Sequence, residues 1–239
     1  MIAAPKALAS AAICVAFSVS GCEQRSWTYG YRLTIDVETP EGIHTGSSAI
    51  EVDITKAPIA FLDLSNGASR GRLKGEATVV DLGPRGVLFA LMLGGNANLG
   101  PISGGAAELP TTVFRRVGFL HPKNTGEQNW SQLETLEGKV DLLSSEIPFL
   151  VRFTDLQNPK SMVGVDPNNL AASFGPGIHI KQATIEMTHD RPTDNIILKY
   201  LPWLRTVSEN YYIMQGDNYT KVSGPLGTIQ SIAFRWGVR

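Results

Sequence analysis

The strongest constraint on this chain is an alternation. Tyr31, Leu33, Ile35 and Val37 are apolar or aromatic, and Arg32, Thr34, Asp36 and Glu38 fall between them. Side chains on a strand point to opposite faces in turn, so a period of two predicts a strand with one face buried. Thr39-Pro40-Glu41-Gly42 follows, with proline and glycine at the positions that suit a type I turn. The chain returns through Ile50, Val52 and Ile54, alternating with Glu51 and Asp53. A helix cannot satisfy that period, so an antiparallel β region is expected here.

A second pairing is expected between Glu76–Leu82 and Val87–Leu93, around Gly83-Pro84-Arg85-Gly86. The run from Val87 to Leu93 is apolar on both faces, which marks a central strand covered on both sides. With 24 glycines and 14 prolines in 239 residues, turns and short elements are favoured over long helices.

Farther along the texture changes. Gly94 to Pro110, rich in Gly, Asn and Ala, reads as a loop. Thr111 to Leu120 carries Val113, Phe114, Val117 and Leu120 at helical spacing. Residues 121–135 are polar and irregular apart from Trp130, and suit a linker or an excursion over the core.

From Ile147 onward the pattern is α+β. Phe149–Phe153 reads as a strand that runs into the loop Thr154–Pro159. Asp166-Pro167 reads as a helix start, with Leu170 and Phe174 inward and Gly175 as its stop. Between Ile178 and Met187 the apolar phase slips, and a β-bulge near Lys181-Gln182 would explain the slip. Thr193–Leu201 reads as a short helix with Ile196, Ile197, Tyr200 and Leu201 inward, ended by Pro202. The tail suggests a hairpin of Asn210–Met214 with Gly227–Trp236. The expected fold class is β-rich α+β: an antiparallel sheet region, then a smaller α+β region with short helices.

Composition bounds the function classes. The chain is 43% hydrophobic with formal net charge −1, which disfavours disorder. Its 21 basic residues against 22 acidic ones leave no basic excess to attract nucleic acid, so no nucleic-acid partner is expected.

The first residues read as an address. Lys6 is the one charge before an apolar run from Ala7 to Val19, which is 13 residues. A membrane-spanning helix needs about 20 residues, and a signal-peptide core needs fewer. Ser20 and Gly21 then precede Cys22. The segment Val19-Ser20-Gly21-Cys22 resembles the lipobox of bacterial lipoproteins, with Val19 where leucine is favoured. The resemblance implies lipid transfer to the Cys22 thiol, cleavage between Gly21 and Cys22, and acylation of the new amino group. It also implies that Glu23, standing where an aspartate would favour inner-membrane retention, leans towards the outer membrane. The alternative is a plain secretory signal in which a cysteine falls by chance, since Ser18-Val19-Ser20 is itself a small-x-small site. Under the lipoprotein reading Cys14 leaves with the leader and Cys22 is lipidated. The body then has no free thiol, no disulfide and no cysteine for zinc.

On this reading residues 1–21 are the leader, 22–28 a tether, 29–93 the antiparallel β region, 94–146 a loop-and-helix connection, and 147–239 the α+β region. One compact domain over 29–239 is the alternative division. Phe153-Thr154-Asp155 through Pro159, Val165-Asp166-Pro167 and Leu201-Pro202-Trp203-Leu204 resemble segments of uncharacterised proteobacterial envelope proteins, which implies a bacterial envelope setting and no particular activity.

Sites of chemistry are sparse. Gly67-Ala68-Ser69-Arg70-Gly71 matches the Gly-x-Ser-x-Gly string, but a nucleophile elbow needs a helix after the serine and a strand-like run follows instead. A basic hairpin loop is the plainer reading of Ser69. His44, His121, His179 and His189 include no pair at i, i+4 spacing. His179 and His189 would make a metal site only by converging with Asp190 and Asp194; an outward strand histidine and a solvated turn explain them as well. The Asp155–Asn158 and Asp166–Asn169 loops lack the oxygen spacing of a calcium loop and suit turn duty. Trp203, Tyr211, Tyr212, Tyr219 and Trp236 form a candidate stacking platform, with core filling as the alternative. No cofactor is implied. The favoured expectation is a non-catalytic envelope lipoprotein, a binding or structural module. Its partners would be the bilayer through acylated Cys22 and an envelope protein or glycan. The alternative is a lipid-tethered hydrolase using Ser69 or a His179/His189/Asp190 metal site.

Overall fold

The computed structural model describes residues 25–56, 69–96, 100–102, 105–208, 213 and 229–237. Cys22, Gly21, Tyr211, Tyr212, Tyr219 and most of the expected tail hairpin lie outside these residues.

The alternating segment is strand β1 (Ser26–Thr39), and it pairs without a break to β2 (Gly42–Lys56) across Pro40-Glu41. From Trp27 to Val37 every second residue of β1 is buried. The other face carries cross-strand polar pairs, with Thr28 Oγ1 donating to Asp53 (2.9 Å) and Thr45 Oγ1 to Asp36 (2.6 Å). Such pairs on the wet face help to hold the register that the apolar face demands.

Strand β3 (Ser69–Glu76) continues beside β2. The chain breaks at Ala77, and β4 (Thr78–Asp81) and β5 (Val87–Ala90) belong to a second sheet. Glu76–Leu82 is therefore a change of sheet rather than one strand. The approach of the two sheets depends on Gly46, where a Cβ would lie 2.2 Å from the Val79 carbonyl oxygen.

After the short pair β6 (Gly94–Asn96) and β7 (Gly100–Ile102) come two helices, α1 (Gly105–Arg116) and α2 (Gly126–Leu133). Strands β8 (Lys139–Asp141), β9 (Leu150–Phe153) and β10 (Met162–Val165) follow, then the single turn α3 (Ala171–Phe174), β11 (His179–Met187) and β12 (Arg235–Trp236). The first sheet has the order β12-β3-β2-β1-β11-β8 and the second β10-β9-β5-β4. Both sheets join strands from the early and late parts of the chain, so neither 29–93 nor 147–239 builds either sheet alone.

The apolar strand β5 separates two cores. Leu88, Ala90 and Met92 pack with β1 and β2 against Tyr31, Leu33 and Val52. Val87, Phe89 and Leu91 face a second cluster with Phe149, Phe153, Leu201 and Phe234. Burial on both faces is why this strand reads as continuously apolar. The phase slip in β11 is a bulge: Asp36 opposes Gln182 and Val37 opposes Ile180, leaving Lys181 unpaired, as expected from the sequence.

Several local expectations need correction. Helix α1 starts at Gly105, six residues before Thr111, and contains Pro110. Residues 121–135 hold α2, begun by a capping box in which Thr125 and Gln128 bond each other's backbone N–H. Thr193–Leu201 contains a 3-10 turn at Ile197–Lys199 rather than an α-helix, and Ile196 is exposed. Trp236 pairs with Gly75 on the edge of the first sheet. Ile213 N–H still bonds the Ile229 carbonyl at 2.9 Å, the described remnant of the expected hairpin. Among the described residues no helix is long and apolar enough to cross a membrane.

Candidate functional site

Helix α1 is amphipathic in a particular way. Ala106, Leu109, Pro110, Val113 and Phe114 are buried. Glu108, Thr111, Thr112 and Arg115 recur at i, i+3, i+4 and i+7, which puts them on one face. That polar stripe lines a cleft of about 920 Å³. Asn129 and Trp130 of α2 form a second wall, Ser69 and Leu73 of β3 a third, and Trp236 of β12 closes one side. The volume lies within the range of small-molecule sites.

Both helices are held where they are by groups of β1. The hydroxyls of Tyr29 and Tyr31 donate to the carbonyls of Ala107 and Ala106, each at 2.8 Å. Burial pushes the Tyr29 phenol well above the ordinary range, and the nearby Glu108 carboxylate adds to the rise. Trp27 Nε1 donates to Ser131 Oγ at 2.9 Å, and its ring tilts against Trp130 at 5.1 Å. At the start of α2, Glu127 pairs with Lys56 and with Arg25 (3.3 Å), and the Lys56 ammonium holds its carboxyl below the usual range.

Two polar atoms in the cleft lining lack partners. Asn129 is 2% exposed, and its Oδ1 accepts no hydrogen bond. Arg115 Nε is buried and donates none. Buried polar groups are ordinarily paired, because an unpaired one costs about 1–3 kcal/mol. Both atoms are closed off from solvent, so they are unpaired groups inside the cleft wall rather than groups that face its open space.

A second buried group is structural. Glu76, fully buried at the end of β3, accepts from the N–H groups of Asn195 (2.7 Å), Ile196 (2.9 Å) and Ile197 (3.1 Å). Arg235 Nε lies 3.3 Å from its carboxylate. Burial pushes the Glu76 carboxyl up, against the opposite pull of those amides and of Arg235. The cluster ties residues 194–197 and β12 to the first sheet.

The candidates from sequence are scattered. Ser69 lines the cleft, but it opens β3 and pairs with Lys56, so neither the elbow nor a hairpin loop forms at this serine. His179 lies 3.3 Å from Glu38 at one end of β11. His189 follows the other end, where Thr188 N–H bonds the Gly30 carbonyl and Arg32 reaches Asp190 at 2.6 Å. Strand β11 puts roughly 25 Å between those ends, so the two histidines cannot share a metal with Asp190. Among the described residues no group of three His, Cys, Asp or Glu is placed to hold one. Asp155 Oδ1 and Asp166 Oδ1 accept from Gln157 N–H and Asn168 N–H, each at 2.9 Å, which is turn duty.

The aromatic platform separates in the same way. Trp236 stands at the cleft, whereas Trp203 donates Nε1 to the Leu156 carbonyl (3.0 Å) and packs on Phe153 in the second core. Glu108, Arg115 and Asn129 were not singled out from sequence. The i, i+3, i+4, i+7 stripe would have marked the first two, had the helix been started at Gly105. No family model matches this chain, and neither a curated protein nor a solved structure matches it significantly.

Proposed function

We propose that this chain is a membrane-anchored envelope lipoprotein, acylated at Cys22, whose body is a non-catalytic binding module. The anchor rests on Val19-Ser20-Gly21-Cys22 after a short apolar run. Strand β1 begins at Ser26, so the body follows Cys22 within about 14 Å of extended chain and would ride close to the bilayer. Two or more acyl chains hold a protein stably where one does not. Glu23 leans the location towards the outer membrane. An envelope protein or glycan is the partner class in keeping with that setting.

The observation that supports the binding role is the cleft, lined by the Glu108, Thr111, Thr112 and Arg115 stripe of α1 and by the indoles of Trp130 and Trp236. A hydrolase acting through Ser69 is the second reading, since that hydroxyl lines the same cleft. The strand after Ser69 disfavours it, because the elbow takes an oxyanion donor from the backbone just after the nucleophile.

The anchor is tested by Cys22→Ser in the native host. The wild-type chain is expected in the membrane fraction and in the detergent phase on phase separation. The variant is expected to leave both. A variant that stays with the membranes would overturn the lipid anchor.

A further inference from the structure

We propose that β8, an edge strand of the first sheet, pairs antiparallel with β8 of a second copy and so joins two six-stranded sheets into one. On its inner side β8 bonds β11. Leu142 N–H donates to the Ala183 carbonyl (2.8 Å), and the Gly138 carbonyl accepts from Met187 N–H (3.0 Å). Backbone groups along a strand point to its two sides in turn, so those of Gly138, Val140 and Leu142 face β11 and those of Lys139 and Asp141 face away. Both of these charged residues are exposed, so the outer side opens to solvent. The Asp141 carbonyl accepts from Arg116 Nη2 at 2.8 Å and keeps a second lone pair for another donor.

The order of the charges selects a second copy. Charged side chains on an edge strand ordinarily discourage pairing. In an antiparallel pair with Val140 opposite itself, however, Lys139 of each copy stands opposite Asp141 of the other. These two residues then exchange both backbone N–H···O bonds, and their side chains lie about 5 Å apart on one face. Each Lys139 ammonium is flanked by that carboxylate and by Glu186 of its own chain, which is 4.0 Å away. The Asp141 carboxylate accepts from Gln182 Nε2 at 2.8 Å and has lone pairs left for a lysine.

The apolar face of the junction is self-complementary too. Val140 meets its own copy at the two-fold axis, and Gly138 comes opposite Leu142. Phe119, 51% exposed, lies over Gly138, where a Cβ would sit 3.8 Å from its ring. Leu142 of the second copy, half-buried in its own chain, meets that ring across the junction.

The axis runs perpendicular to the sheet through Val140, which is in register with Ile185 and Leu33. Ser26 lies seven residues from Leu33 along β1, so the two starts of β1 fall roughly 45 Å apart along the strands. On the anchor reading above, both tethers reach one leaflet when the axis stands normal to the bilayer and the strands lie along it.

The test is sedimentation equilibrium of the full-length chain in density-matched detergent, up to about 100 μM protein. The wild-type chain is expected to dimerise. Lys139→Glu sets acid against acid at both ends of the junction, and Asp141→Lys sets base against base. Each should weaken the dimer about tenfold and leave the unfolding midpoint in place, since both side chains are exposed. An equimolar mixture of the two variants brings opposite charges together at both ends, and should dimerise about as tightly as the wild type. Mixing repairs neither a fold defect nor a micelle effect. Cys22→Ser, run without detergent, should dimerise equally, which separates a failed dimer from a failed anchor. A wild-type chain that stays monomeric would overturn the proposal. So would a dimer that neither charge variant weakens, or a mixture no tighter than either variant alone.

Discussion

The Tyr31 hydroxyl donates to the Ala106 carbonyl at 2.8 Å, and that carbonyl is the one Pro110 leaves without a helical partner. In a helix the N–H of residue 110 would bond the carbonyl of residue 106, but proline has no N–H and its ring crowds that oxygen. Tyr31, fully buried on β1, supplies the missing donor from outside the helix. An apparent defect in α1 is thereby its attachment to the first sheet.

Tyr31→Phe should leave the Ala106 carbonyl buried and unpaired, lowering stability by about 1–3 kcal/mol in urea unfolding. Restoring an N–H by Pro110→Ala should recover part of that loss. The double variant should therefore be more stable than the sum of the single effects predicts, with a coupling of about 1 kcal/mol. Additive effects would show that the two residues are not linked through Ala106.

Alkaline pH gives a second prediction. Burial raises the phenols of Tyr29 and Tyr31 far above the ordinary value of about 10. Above that pH the unfolded chain releases these protons and the folded chain keeps them, so the folded state binds more protons and stability falls as pH rises. The slope is about 1.4 kcal/mol per pH unit for each tyrosine. Ultraviolet titration should show two tyrosines ionising together with unfolding rather than before it. Early, reversible ionisation of all six tyrosines would contradict the burial of this pair.

Glu76→Ala should cost about 1–3 kcal/mol, because it leaves three backbone N–H groups without their acceptor, while Arg235 keeps Asp194 at 2.9 Å. Glu76→Gln should cost less, since burial already favours the neutral carboxyl and the amide oxygen can still accept. Hydrogen exchange should rise first at Asn195, Ile196 and Ile197. A uniform rise over the whole chain would argue against that local role.

Much of the first sheet was legible because its signals are local. The alternation in β1 and β2, the Pro40-Glu41 turn and the slip at Lys181 each depend on neighbours a few residues apart. Helix α1 gives only a short local signal because Pro110 and the glycines before it are poor helix formers, and the donors that hold its first turn, Tyr29 and Tyr31, lie 78 and 75 residues upstream of the carbonyls they bond. Helix α2 has too little apolar content to show a helical period, although Thr125 and Gln128 spell a capping box at its start.

By itself the sequence determined the β-rich class and the register of the first hairpin, both set by period and short-range spacing. The tertiary structure decided which strands share a sheet, since strand pairing couples residues far apart and leaves little trace in local pattern. It also decided the site. Glu108, Asn129, Ser69 and Trp236 belong to four separate elements, and only the packing of α1 and α2 on β1 turns them into one cleft. The physical reason is the same in both cases: periodicity says which face of an element is buried, and only packing says against what.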